Sequence, residues 1–317
     1  MILCFGEILI DFLNFNQIQV DKTALNEFRQ YPGGAPANVA VAVAKLGGQT
    51  RFLGQVGDDQ FGRFLIEAMQ QYNVDTQYLY VHPHAATALA FVFLDEHKER
   101  RFEFYRKNTA DIVFSEEQLV DEVFAGATIF HFCSNTLTDE SIFNVSIKAI
   151  KKAKARGCLI SFDVNLRFNL WLDNKVDINR IKQALILADV IKVSKQEAQW
   201  IINNGFEIKA WLNTAQIIWQ TDGANNIEIF TKDKHFIVPT KKVQVVDSTA
   251  AGDAFSAGLL MALNQFDCLF NNKYTLSEDD IKKITVFASS CGAVAVTKLG
   301  AFPSLPTMDD VQQDWGF

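Results

Sequence analysis

Apolar residues recur at two spacings along this chain of 317 residues, and the places where one spacing gives way to the other mark its elements. Ile2 to Phe5 is a short unbroken apolar run, the pattern of a buried strand. Pro36 to Leu46 has helical spacing, with Pro near the first turn and Gly47-Gly48 as the stop. Thr50 to Val56 predicts a strand and Arg63 to Tyr72 a helix. From Glu116 onward strands (Thr128 to Phe132, Cys158 to Phe162, Asp189 to Val193, Gln216 to Thr221) alternate with helices (Asp139 to Arg156, Val176 to Leu187, Lys195 to Ile202). Ile227 to Phe230 and His235 to Val238 predict a hairpin, and Ala254 to Leu263 and Leu276 to Val296 two more helices. This alternation predicts an α/β fold: a doubly wound, mainly parallel sheet with helices on both faces.

A second pattern is superimposed on the first. Thr87 to Leu94 and Arg101 to Phe104 read as strands joined by the polar turn at 95–100, and with residues around Phe12 to Tyr31 they predict a small sheet standing apart. We expect one domain over 1–317, with lid strands inserted from about 12–32 and 86–111. Open strand edges on such a lid would pair with a second copy, so a homodimer is expected through it.

Composition narrows the classes. With 49% hydrophobic and 21% charged residues the chain can bury a large core. A net charge of −7 and a pI near 5.3 argue against a nucleic-acid partner, so an anionic ligand must be held by local dipoles and metal ions. Cys4, Cys133, Cys158, Cys268 and Cys291 include no C-x-x-C pair, so reduced thiols and a cytoplasmic location are expected. Glu7 and Asp11 near the start, with no long apolar run, predict neither a signal peptide nor a membrane partner. His82, His84 and His97 lack the companions of a metal site. Gly57 to Arg63 nearly spells a P-loop but lacks its Lys and following hydroxyl.

The chemistry concentrates at Asp247-Ser248-Thr249-Ala250-Ala251-Gly252-Asp253, just ahead of an apolar helix. Small side chains let backbone N–H groups converge beside a helix's positive end, which makes an anion seat. A carboxylate at its mouth would be repelled by phosphate unless it served as a proton acceptor or metal partner. A capping Asp on an ordinary helix fits the same string equally well. Other candidates follow predicted strands, where ligands lie in such sheets: Asp163 to Arg167, then Ser194 and Glu197, then Thr221 to Gly223.

Asp247 to Asp253 resembles the D-T-x-G-A-G-D signature of the ribokinase-like (PfkB) carbohydrate kinases, with Ser248 for Thr and Ala250 for Gly. Gly33-Gly34-Ala35-Pro36-Ala37-Asn38 resembles the family's first signature, and with Phe104-Tyr105-Arg106 and Ala110-Asp111 looks most like its fructokinase branch. The resemblance implies a ribokinase-like fold and transfer of the ATP γ-phosphoryl group to a sugar, most simply O6 of D-fructose. It implies Asp253 as general base, with the amides of Ala250, Ala251 and Gly252 and the side chain of Arg167 on the phosphoryl group. Asp11, Gly33, Gly34, Asn38, Arg106 and Asn165 would bind the sugar. Asn165, Ser194, Glu197, Thr221, Gly223, Ala251, Gly252 and Ser289 would face the nucleotide. Glu197 would hold Mg²⁺ through water. Asp247, Thr249, Ala295, Lys298, Gly300 and Ser304 would bind a monovalent cation, with K⁺ the candidate. Rival acceptors are 2-keto-3-deoxygluconate, ribose and a nucleoside; a rival of another class is a sugar- or nucleotide-binding regulator without catalysis. A dinucleotide-dependent dehydrogenase is disfavoured, since no G-x-G-x-x-G follows the first strand.

Overall fold

In the computed structural model, which describes residues 1–94, 100–265 and 276–316, strand β1 (Ile2–Phe5) sends Ile2 and Cys4 into one hydrophobic core and Leu3 and Phe5 into another. Only a sheet covered on both faces accepts such a run. The chain continues through β2 (Leu9–Val20), β3 (Thr23–Gly33), α1 (Ala35–Lys45), β4 (Thr50–Gly57), α2 (Gln60–Gln71), β5 (Asp75–His82), β6 (Leu89–Leu94) and β7 (Arg100–Tyr105). The helix–strand alternation follows: β8 (Ile129–Cys133), α3 (Glu140–Ala155), β9 (Leu159–Asp163), α4 (Ile178–Leu187), β10 (Val190–Ser194), α5 (Lys195–Asn203), α6 (Ile208–Trp211) and β11 (Ile217–Thr221). The hairpin β12 (Ile227–Thr231) and β13 (His235–Val238) leads to α7 (Ala251–Leu263) and α8 (Glu278–Ala295).

Among the described residues the main sheet has nine strands in the order β13-β12-β11-β10-β9-β8-β1-β4-β5, and only β12 runs against the rest, antiparallel to both β11 and β13. Strand order reverses between β1 and β8, the switch point at which the carboxyl ends of an α/β sheet leave a crevice. One core packs α1, α2, α7 and α8 on one face, and the other packs α3, α4 and α5 on the opposite face. A separate four-stranded sheet, β3-β2-β6-β7, makes the lid.

The doubly wound sheet and the lid match expectation, while several boundaries differ. Residues 75–82, where no strand is predicted, form the edge strand β5 beside β4. Helix α2 starts at Gln60 rather than Arg63, because Asp59 caps it by accepting the Gly62 N–H at 2.8 Å. Helix α7 starts at Ala251, three residues ahead of the predicted Ala254, and so takes the seat residues into its first turn. The lid turn at 95–100, apart from Arg100, and with it His97, lies outside the described residues, as does Cys268. The four remaining cysteines are free and buried. No described helix is long and apolar enough to cross a membrane.

Ala250, the residue before α7, has a left-handed φ of 58°. A Cβ there is strained, and glycine is not. Ala250→Gly is therefore expected to raise stability by about 1 kcal/mol, read as a higher urea midpoint at unchanged m-value. A lower midpoint would mean that some contact of the Ala250 methyl outweighs its strain.

Candidate active site

Strand β1 hands directly to Glu7, which is buried to 2% exposure and accepts hydrogen bonds from the Ala35 backbone N–H (3.0 Å) and Asn135 Nδ2 (2.8 Å). Burial pushes its carboxyl above the ordinary range, and the Arg106 guanidinium partly offsets this. Glu7 so ties the start of α1 to the end of β8. Gly34, with φ 104°, must be glycine, because a side chain would sit 2.5 Å from the Glu7 carbonyl oxygen. Gly33 leaves room for the Asp11 carboxylate, whose oxygen lies where a Cβ would otherwise be.

Around this junction lies a cavity of about 340 Å³. Glu7, Asp11, Gly34 and Asn38 line it from the first two strands and α1, Phe102, Phe104 and Arg106 from the lid, and Asn135 from the end of β8. Asn165, Arg167, Lys192, Ser194 and Glu197 follow from the ends of β9 and β10, and residues 248–253 complete it from the start of α7. Among the described residues, three buried polar atoms of its lining have no hydrogen-bond partner: Asn38 Oδ1, Asn135 Oδ1 and Arg106 Nη2. Two acceptors and one donor, orphaned together, suit a ligand bearing several hydroxyls, since each hydroxyl both donates and accepts.

Arg106 is neither solvated nor extended from a strand. It follows β7 with 8% of its surface exposed, and its Nε donates to Asp111 Oδ2 at 2.5 Å. Its Nη1 donates to the Asn135 carbonyl (3.0 Å).

Helix α7 has no side-chain cap, so its first-turn amides face the cavity without the partner a cap would supply. The Ala251 N–H makes only a long 3.4 Å contact with the Ser248 carbonyl. The positive end of a 13-residue helix and its uncapped amides can hold an anion. Asp253 stands in this first turn and accepts from Asn38 Nδ2 at 2.7 Å. A helix N-terminus ordinarily favours a charged carboxylate, but here desolvation wins. Burial first, and Asp163 beside it, push Asp253 up to about 7, against the Asn38 hydrogen bond and the cations of Lys192 and Arg167. A carboxyl that titrates near neutrality, at the mouth of an anion seat, is fitted to take a proton from a hydroxyl.

Glu197 accepts from the Leu166 N–H and the Ser194 N–H, both at 2.8 Å, and so clamps the β9 loop to the start of α5. Among the described residues no three His, Cys, Asp or Glu side chains gather as a metal cage. Each Glu197 oxygen accepts one backbone N–H and keeps a lone pair, so this carboxylate could bond a water on a divalent ion. Asp247, 3% exposed, accepts from the N–H groups of Thr249 (2.7 Å) and Gly300 (2.9 Å), which draws the 247–249 and 300 loops together. The Ser304 hydroxyl donates to the Ala301 carbonyl at 2.8 Å and keeps its acceptor capacity.

Thr221, Gly223 and Ser289 are not part of the cavity lining. Thr221 is paired in register with Ser194, one strand further out, and the Ser289 hydroxyl accepts from the Lys241 N–H at 3.3 Å. The sequence patterns missed Glu7, Asn135 and Lys192. A charged residue within the apolar runs around Glu7 and Lys192 was the available signal.

The chain matches the model of the pfkB family carbohydrate kinases over residues 1–308. It is 38% identical over 320 residues to Fructokinase-2 of Zea mays, covering 98% of this chain and 93% of that protein. A fructokinase from Xylella fastidiosa with bound ATP superposes with a TM-score of 0.91 at 40% identity, covering 99% of this chain and 97% of that one. A double-mutant fructokinase from Vibrio cholerae O395, solved with fructose, ADP and potassium ion, gives a TM-score of 0.83 at 31% identity over 99% and 97% of the two chains.

Proposed function

We propose that this chain, which belongs to the pfkB family of carbohydrate kinases, transfers the γ-phosphoryl group of ATP to D-fructose, giving ADP and D-fructose 6-phosphate. A single kinase domain with an inserted lid carries it out. The observation that carries the site assignment is the Asp253 carboxyl, held near neutrality beside the uncapped start of α7. Asn38 Oδ1, Asn135 Oδ1 and Arg106 Nη2 receive the sugar hydroxyls, with Asp11 and the backbone at Gly33 and Gly34 beside them. Asp253 orients the reacting hydroxyl and takes its proton as the new O–P bond forms, because a carboxylate is too weak a base to ionise an alcohol beforehand. The amides of residues 250–252, with Arg167, offset charge on the phosphoryl oxygens. Asn165, Ser194 and Glu197 face the nucleotide; Thr221, Gly223 and Ser289 flank it outside this cavity. When bound, Mg²⁺ supplies positive charge to the phosphate oxygens, and Glu197 would hold it through water. The carbonyls of Asp247, Thr249, Ala295, Lys298 and Gly300, with Ser304, would hold K⁺ behind the seat.

An ADP-release assay over fructose, ribose, 2-keto-3-deoxygluconate and a nucleoside, with and without K⁺, is expected to give the highest kcat/KM for fructose and faster turnover with K⁺. Clear preference for another acceptor would sink the fructose assignment. We also place a homodimer at the lid, in the cytoplasm. Strands β3 and β7 are its edges, and Phe15, Val20 and Leu25 stand 44%, 49% and 43% exposed on it. A monomer mass in light scattering at assay concentration would reject the dimer.

A further inference from the structure

Strands β9 and β10 pair with Asp163, at the end of β9, opposite Lys192, at the middle of β10; these are the charged side chains of the two strands. Both are buried, to 2% and 9% exposure, and Lys192 Nζ lies 3.1 Å from each oxygen of Asp163. Ser256, one turn beyond Asp253 on α7, donates to the same carboxylate at 3.1 Å, so the ion pair is packed under the first turn of that helix. What surface Lys192 keeps is on the cavity wall. A Cβ at position 252 would lie 2.8 Å from Nζ, so glycine there leaves the ammonium uncovered toward the seat. Burial disfavours the charged form, but Asp163 and Glu197 outweigh it, and the ammonium persists at any working pH.

A buried ion pair is a poor device for stability, since an apolar pair of similar volume is commonly as stable or more so. An ammonium has three donors, and among the described residues the side-chain hydrogen bonds of Lys192 all go to Asp163. We propose that Lys192 is a further catalytic residue: its remaining N–H meets an oxygen of the transferring phosphoryl group from beneath Gly252. The inference rests on the phosphoryl-transfer reading given above. In the step, the sugar O–H bond breaks and its proton passes to Asp253. The O–P bond forms as the bond from the terminal phosphorus to the bridging oxygen of ATP breaks, and ADP leaves. Lys192 keeps its three protons throughout and contributes charge where charge develops. Asp163 and Ser256 are positioning residues that aim it.

The test uses Lys192→Met, the double variant Asp163→Asn/Lys192→Met, which leaves no orphaned carboxylate, and Lys192→Arg. Turnover is expected to fall about 10²–10³-fold in both variants lacking the cation, with the KM for fructose within about threefold of wild type, and to recover in part in Lys192→Arg. The double variant should melt closer to wild type than Lys192→Met. A folded double variant with turnover within about threefold of wild type would overturn the proposal. In the unmutated protein, the ζ-¹⁵N signal of Lys192, assigned by its loss in Lys192→Arg, should shift when a non-hydrolysable ATP analogue is added with fructose. An unchanged signal would equally overturn it. Wild-type turnover of fructose is the control: its absence sinks the phosphoryl-transfer reading itself, whereas normal wild-type turnover with an indifferent double variant sinks Lys192 alone.

Discussion

Asp253→Asn is expected to lower kcat by about 10²–10⁴-fold while leaving the KM for fructose within a few-fold of wild type, because it removes the proton acceptor and little else. The amide keeps the size of the side chain, and its oxygen can still accept from Asn38 Nδ2, which makes that bond at 2.7 Å in the wild type. Stability should move the other way. The folded protein raises Asp253 from an ordinary carboxylic acid to about 7, so its protonated form is favoured by folding and its ionisation opposes folding. The stability cost is therefore absent well below pH 4, grows as pH rises toward 7, and is complete above it. Asp253→Asn should melt above wild type at pH 8 and together with it near pH 4. The wild-type kcat/KM should rise with pH through about 7, as the free enzyme's base loses its proton. Asn38, Asp163, Lys192 and Arg167 all face this group and set its value, so the midpoint reports the site and not Asp253 alone. Near-normal turnover in Asp253→Asn would contradict the assignment outright.

Much of this arrangement is written in the chain, and the physical reasons separate the legible part from the rest. Parallel strands buried on both faces announce themselves as short apolar runs, so β1, β8, β9, β10 and β11 lie within a residue or two of where the pattern puts them. The stretch 247–253 stands out in the sequence because tiny side chains before an apolar helix are unusual in a row. Its geometry does not. That Ala250 must adopt a left-handed φ, and that α7 begins at Ala251, follow from how the 247–249 loop is pinned by Asp247, a tertiary matter. Strand β5 escaped because an edge strand needs little apolar pattern; only Tyr78 and Leu79 of it are buried. Glu7, Asn135 and Lys192 escaped for another reason. Each acts through partners more than 25 residues away in sequence, and pattern reading along a chain cannot pair such residues.

Arg106→Ala is expected to cost about 3–5 kcal/mol of stability, the largest loss we foresee from any single substitution in the cavity wall. The guanidinium, 8% exposed, stands between two buried carboxylates: it bonds Asp111 directly and is attracted by Glu7. Removing it takes the cation from both carboxylates and one donor from the Asn135 carbonyl, which keeps only the Thr138 hydroxyl at 3.1 Å. Such a variant, even if folded, would lose activity for structural reasons, so it does not isolate the role of Nη2. Arg106→Lys does. A lysine ammonium keeps the charge beside Asp111 but puts all its donors on one nitrogen, whereas Nε, Nη1 and Nη2 of Arg106 reach Asp111, the Asn135 carbonyl and the cavity from three separate positions, so the cavity loses its donor. The expected result is a modest fall in the urea midpoint, a rise of about tenfold in the KM for fructose, the worth of one hydrogen bond to a charged donor, and kcat within a few-fold of wild type. A KM that stays at the wild-type value would show that Nη2, unpartnered in the cavity wall, is not where the sugar binds. A matching collapse of kcat would instead place Arg106 on the phosphoryl group, and the division of labour between the lid and the helix seat would have to be redrawn.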